Sequence, residues 1–429
     1  MSFHRTKPWL AAWGVLMLTA VSAFGQGVPD SQLMNGQMLD PSEPNAFGSG
    51  VGPNQGYFGS FEALYWTISP PGATPIGSPG LTRLVYAAPD QPNVQSNSMD
   101  TGFLVADWTW GHRFELGDIV EHHGWMLGTY NTRAQSQTPL EFSNVTMTID
   151  DREFGPQNRR HLDGWVGTPV PFDDTTVWSL LPLPLQFDYL RVNHLTDTWS
   201  VEWMYMYRTH PLGFRRNTLM ELFMGVRYME FQDRFDVWGR GFRFRTLDGD
   251  PASDPIGPGT ILADSEWRTN SNNHIVGPQL GLRLFTRAGR WSLSTEGRFF
   301  AGFNFQTVRQ SGYLGNRMNE GITGALPTTI PENAIPFAPA IRQPVSFNHV
   351  YNANEFSPGI EFRVEGKCHL TRGLAFKAGY TLAYLDGIAR ASNMVDYVWS
   401  ETSVFGIRPD TNRQGVFMNG LTFGLEFNR

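Results

Sequence analysis

Three groups of side chains are spaced so that they could do chemistry. Glu121-His122-His123 offers a carboxylate and two imidazoles, donors that zinc takes. Adjacent residues on a strand point to opposite faces, so a shared site would need a bend, and a solvated turn is the simpler arrangement. Asp248, Asp250 and Asp254 could attract Ca²⁺. They lack the spacing and terminal Glu of an EF-hand and read better as a solvated acidic loop. Ten His and many Ser allow chance hydrolytic pairs, but no Gly-x-Ser-x-Gly elbow sharpens them. No phosphate-binding glycine loop followed by a helix is present either. These patterns predict no enzyme, no catalytic residue, no metal and no cofactor.

The third group is larger. Glu202, Glu221, Arg227, Arg283, Glu296, Arg298, Glu361, Arg363, Glu365, Lys377 and Glu426 stand at alternate positions in segments whose other positions are apolar. Charges in a confined interior must pair or stay hydrated. If carboxylates and cations interlock, they plug the interior. If the space is wide, they line water and make a mixed-charge, weakly selective pore.

The elements that position these charges show a period of two, the signature of strands with one apolar and one polar face. In Trp199–Arg208 the odd positions are aromatic or β-branched, while Ser200, Glu202 and Arg208 share the other face. Met220, Leu222, Met224, Val226 and Tyr228 repeat the pattern against Glu221, Gly225 and Arg227. Leu280, Leu282 and Leu284 oppose Gln279, Gly281 and Arg283. Trp291, Leu293, Phe299, Phe303 and Phe305 oppose Ser292, Ser294, Glu296 and Arg298. Ile360, Phe362 and Val364 alternate with Glu361, Arg363 and Glu365, and further apolar faces run from Leu374 to Tyr384 and from Phe417 to Phe427.

Several runs reach the roughly 9 to 11 residues that a membrane-crossing strand needs, and aromatics stand near their ends, where an interfacial girdle would want them. A soluble β-sandwich also buries one face and is the competing arrangement. Connections alternate between tight turns such as Arg287–Arg290 and long stretches: 69–100, 131–184, 247–273, 307–354 and 386–413. Short turns on one side and long loops on the other are typical of outer-membrane barrels. The expected fold is therefore all-β, an antiparallel transmembrane β-barrel of about 12 strands (range 10 to 14) with long external loops. A long loop could also fold inward as a constriction.

Composition agrees with this reading. The chain is 429 residues long, 41% hydrophobic, 14% aromatic and 17% charged, with 45 Gly and 29 Pro. That excludes a disordered chain and disfavours an ordinary cytosolic α/β enzyme. A net charge of −7 without basic clusters predicts no nucleic-acid partner. Residues 1–25 have the form of an export signal: His4, Arg5 and Lys7, then the apolar run Trp9–Val21, then Ala23-Phe24-Gly25. Cys368 is the single cysteine, so no disulfide framework is expected. Residues 26–56, rich in Gly, Pro, Asn and Ser, read as a leader, and 57–429 as the barrel.

Three runs carry a family resemblance. They are Gly225–Phe231 with Asp233-Arg234-Phe235, Asn273–Gly281, and the opening strand Tyr57–Trp66. They resemble the porin-like outer-membrane β-barrel proteins of planctomycete bacteria, with similarity over most of residues 57 to 427. The closing strand also resembles the insertion signal of such barrels, although Phe427 is followed by Asn428 and Arg429. The resemblance implies an envelope barrel and brings no established activity or site residues. The expected partners are outer-membrane lipid, the barrel-insertion machinery and small solutes. The expected function is passive passage of small solutes, against two alternatives: a non-conducting structural or surface-interaction barrel, and a membrane hydrolase.

Overall fold

The computed structural model describes residues 56–77, 81–84, 94–97, 99–136, 139–151, 183–209, 218–242, 264–314, 345–371, 373–399 and 404–428. The export segment, most of the leader, and Asp248, Asp250 and Asp254 lie outside them. The chain forms fifteen strands within these residues. They are β1 (Gly56–Ile68), β2 (Leu81–Leu84), β3 (Val94–Asn97), β4 (Trp108–Val120), β5 (His123–Ser136), β6 (Leu140–Asp151), β7 (Leu183–Arg208) and β8 (Thr218–Phe242). There follow β9 (Asp264–Ala288), β10 (Trp291–Leu314), β11 (Val345–His369), β12 (Leu374–Ile388), β13 (Val395–Trp399), β14 (Val404–Ile407) and β15 (Gln414–Asn428).

Ten of the described strands close an antiparallel ring in the order β1-β4-β5-β7-β8-β9-β10-β11-β12-β15, with β15 pairing back to β1. Ten is the lower end of the expected range. β2 and β3 pair only with each other, β13 and β14 stand outside the ring, and β5 and β6 share the edge of one long strand. β5 pairs with β7 from Tyr207 to Leu195, and β6 continues along it from Val192 to Leu183.

The ring strands have two lengths. β1, β4, β12 and β15 have 13 to 15 residues, whereas β7 to β11 have 24 to 26. Membrane crossing needs only about 10, so one side of the barrel rises far above the hydrocarbon. β8 shows why. In its lower half Leu222, Met224 and Val226 face outward and exposed, and Glu221 and Arg227 face inward. Above Tyr228 the faces exchange character: Glu230, Gln232, Arg234 and Asp236 point outward, while Phe231, Phe235 and Val237 are buried inside. The period of two never breaks, but the solvent does. Hydrocarbon surrounds the lower half and water the upper, so the favourable outward residue switches from apolar to polar.

On β10 the outward apolar run from Leu293 to Phe303 covers about 25 Å along the membrane normal at the usual rise and tilt. Above it the outer wall of β8 to β11 is amide-rich, with Gln232, Asn270, Asn272, Asn348, Asn352 and Asn354. Parts of the segments read as loops, 264–273, 307–314 and 345–354, belong to this wall. Their outward positions are polar apart from Val350, so they carry no apolar alternation to betray a strand.

The upper tier is closed by different strands. Where β1, β4, β12 and β15 end, β13 pairs in parallel with β6, β14 pairs with β13, and β14 lies against β11. The resulting smaller ring encloses Leu190, Val192, Phe235, Trp267, Phe347, Tyr397 and Phe405.

Two tight turns fix the lower rim. Gly289 (φ 61) opens the two-residue connection from β9 to β10, and Glu121 (φ 56) opens that from β4 to β5. Positive φ at the first loop position suits a hairpin but strains a side-chain residue. Replacing Glu121→Gly is expected to raise stability by about 0.5 to 1 kcal/mol, measurable as a higher unfolding temperature in detergent.

Candidate functional site: a charge-filled lumen beneath an inward-folded segment

The inward face of the lower tier carries eight buried carboxylates, Glu62, Glu115, Glu202, Glu221, Glu296, Glu361, Glu365 and Glu426. It also carries eight buried cations, Arg113, Arg208, Arg227, Arg283, Arg298, Arg363, Lys367 and Lys377. The numbers match, so the interior is formally neutral, and ion pairs join all sixteen into one connected net.

At the lower end, Lys367 lies 2.5 Å from Glu426, and Lys377 pairs with Glu62 and lies 3.8 Å from Glu365. Arg208 lies 2.5 Å from Glu221. Glu221 also lies 3.4 Å from Arg283, which pairs with Glu296. Midway up, four of the pairs (Arg227–Glu361, Arg363–Glu115, Arg298–Glu202 and Arg113–Glu361) span the lumen between strands that are not neighbours, and others join adjacent or identical strands. Arg227 of β8 sits 2.8 Å from both Glu202 of β7 and Glu361 of β11. Arg363 of β11 reaches Glu115 of β4 at 2.7 Å and Glu361 at 2.6 Å. Arg298 of β10 pairs with Glu296 and with Glu202 of β7. Arg113 of β4 lies 3.4 Å from both Glu62 and Glu361.

Aromatic rings bracket the net. Arg283 lies over Phe223 at 4.7 Å near the lower end, and Arg113 over Trp66 at 5.2 Å near the upper end. Guanidiniums favour such ring faces. Above them Leu64, Met229, Phe231, Ile275, Phe300, Leu385 and Met418 form an apolar layer. Where the two layers meet, a void of about 10 Å³ lies among Trp66, Tyr130, Arg227, Arg298, Phe300 and Glu361. That is room for about one water.

Over the apolar layer the chain itself folds into the lumen. Gly387 (φ 69) turns the end of β12 inward; a Cβ there would meet the Phe356 carbonyl oxygen at 2.6 Å. Ile388 to Val395 are all buried. The wall holds their backbone through polar side chains. Asn273 accepts from the Ala389 N–H at 2.9 Å and donates to the Ala389 carbonyl at 3.0 Å. Asn304 and Gln306 each donate to the Gly387 carbonyl at 2.9 Å. Asp233 accepts from the Arg390 Nε–H and the Ala391 N–H, both at 2.9 Å, and its other oxygen lies 2.6 Å from His194 Nε2. Burial alone would raise the Asp233 carboxyl, but Arg390 and His194 outweigh it and hold it well below the usual carboxylate range.

All ten residues predicted to line a lumen, and Glu426 with them, face the interior, and the structure brings them into one net in which they pair with one another. Sequence reasoning left out Glu62, Arg113, Glu115 and Lys367, and it placed Arg208 on a polar face without adding it to the interior set. Lys367 merely continues the Glu361-Arg363-Glu365 alternation and was available to it. Glu62 was hidden because Leu64 and Trp66 on the same face make β1 apolar on both sides. The Glu121-His122-His123 side chains go to separate partners: His122 Nδ1 donates to the Arg208 carbonyl at 3.0 Å, and His123 bonds the Tyr205 hydroxyl.

Solved structures are only distantly similar. The outer membrane protease OmpT of Escherichia coli aligns at 7% identity over 89% of this chain and 99% of its own, with a TM-score of 0.37. A Pseudomonas aeruginosa FadL homologue aligns at 10% identity over 92% and 95%, with a TM-score of 0.21. No curated protein sequence matches. The family model described as Putative beta barrel porin-7 (BBP7) matches residues 198–428, from the middle of β7 to the last residue of β15. With more than half of the chain matched over seven strands of the closed ring, this outer-membrane β-barrel belongs to the BBP7 family.

Proposed function

We propose that the protein is a non-conducting barrel of the outer membrane, an anchor that holds its upper tier and connecting segments at the cell surface. One observation carries this reading: a net of sixteen paired, buried charges crosses the lumen, and the void where it meets the apolar layer has room for about one water. Permeation would require several buried pairs to separate together, and removing one partner of such a pair alone costs about 3 to 5 kcal/mol.

The competing reading, passive passage of small solutes, draws on the porin description of the family and needs the net to open. On the preferred reading the chain is exported through residues 1–25, is inserted by the barrel-assembly machinery, rests in membrane lipid, and performs no catalysis. Proteoliposomes holding the full barrel test the choice by osmotic swelling in arabinose or raffinose. The expected result is swelling no faster than in empty liposomes. Size-dependent swelling, faster in arabinose, would favour passage.

A further inference from the structure

The outer wall of β7 to β11 continues straight out of the lipid-facing band, at the height where headgroups meet the protein. Its chemistry there is specific. At the boundary three rings stand in a row across β7, β8 and β9: Trp199 lies 5.3 Å from Tyr228, and Tyr228 lies 6.4 Å from His274. Their polar atoms are held by neighbours, because the Trp199 indole N–H donates to Glu230 at 2.7 Å and the Tyr228 hydroxyl bonds His274 Nδ1 at 2.9 Å. The rings are thus fixed in orientation with part of each still accessible. Next outward come Gln232, Asn272, Thr307 and Asn352 on neighbouring strands, with Thr307 donating to Asn352 at 3.0 Å.

Charge decides which headgroup fits. Among the described side chains of this wall, four carboxylates (Asp197, Glu230, Asp236, Glu266) are matched by four guanidiniums (Arg191, Arg234, Arg268, Arg309). Arg234 and Arg268 both spend their charge on Asp236, each at 2.8 Å. A surface that bound phosphate headgroups would carry a basic excess. A surface that bound water alone would not need a row of fixed rings. Amides that donate and accept, beside aromatic faces and at zero net charge, suit a neutral polyhydroxylated group.

We propose that the wall from Trp199, Tyr228 and His274 up to Asn272 and Asn352 docks the saccharide headgroups of glycolipids in the surrounding leaflet. The contact is lateral, along the outside of the barrel, and does not depend on whether the lumen conducts.

The test uses the full barrel in nanodiscs of phosphatidylcholine doped equally with digalactosyldiacylglycerol and phosphatidylglycerol, with retained lipids read by native mass spectrometry. Several-fold enrichment of the glycolipid over phosphatidylglycerol is expected. The enrichment should vanish in Trp199→Ala/Asn272→Ala/Asn352→Ala that keeps wild-type heat-modifiable gel mobility. Equal retention of the two lipids, or preference for phosphatidylglycerol, would overturn the proposal. The wild-type lipid comparison stands even if the triple variant fails to fold.

Discussion

Replacing Glu361→Gln should lower the stability of the barrel by about 3 to 5 kcal/mol, the usual result of deleting one partner from a buried ion pair. Glu361 is the acid that Arg113, Arg227 and Arg363 share across the lumen. Its neutralisation leaves three buried guanidiniums with too little negative charge, in a layer whose void has room for only about one water to compensate. The partly exposed pair Arg234 and Asp236 gives the contrast. Removing it should cost less than about 1 kcal/mol, because screening and side-chain entropy absorb most of its attraction. Thermal unfolding in detergent, followed by heat-modifiable gel mobility, reads both. Similar losses for Glu361 and Asp236 would mean that the lumen is hydrated enough to screen its charges.

Asp233→Asn should free the inward-folded segment. Asp233 holds Arg390 and the Ala391 N–H, and Arg390 is buried with its other contacts at the Ser69 carbonyl, 3.0 Å away, and the Phe231 ring. Without the carboxylate an uncompensated guanidinium remains inside the upper tier, again worth about 3 to 5 kcal/mol. Limited proteolysis should then cut between Gly387 and Trp399, where the wild type is expected to resist. Replacing both members, Asp233→Asn with Arg390→Met, should recover most of the loss, since an apolar residue of similar volume carries no charge to desolvate.

The depressed Asp233 carboxyl adds a pH signature. Its pKa is lower in the folded state than in the unfolded state, so its contribution is complete above the ordinary carboxylate value of about 4. It fades as pH falls below that value and is lost at the folded one. The stability gap between wild type and Asp233→Asn should therefore narrow on acidification below about pH 4. A gap independent of pH would remove the carboxylate from this role.

The lower tier was legible in the sequence because hydrocarbon and a charged interior impose opposite chemistry on alternate residues, as Leu222, Met224 and Val226 do against Glu221 and Arg227. The upper tier obeys the same period with the sign reversed. Trp267 faces inward there between outward Glu266 and Arg268, so the stretch from Asp264 to Asn273 reads as a polar loop. The inward path of residues 387–395 was beyond local pattern, since it depends on Asn273, Asn304, Gln306 and Asp233 from three other strands. Its apolar content, Ile388, Ala389, Ala391 and Met394, was nevertheless visible and unusual for an external loop. Alternation also identified which charges turn inward but not what they meet. Pairing between Arg363 and Glu115 needs the ring to close at ten strands, a width no single segment encodes.

Single-channel recording in planar bilayers tests the closed lumen most directly. The wild-type barrel, confirmed as folded by its gel mobility, is predicted to give no current steps. A variant emptied of the central crossing pairs, Glu202→Ala/Arg227→Ala/Arg298→Ala/Glu361→Ala, shows on the same apparatus what an unblocked lumen would conduct. Regular current steps from the wild type, with a size close to those of the emptied variant, would contradict the account.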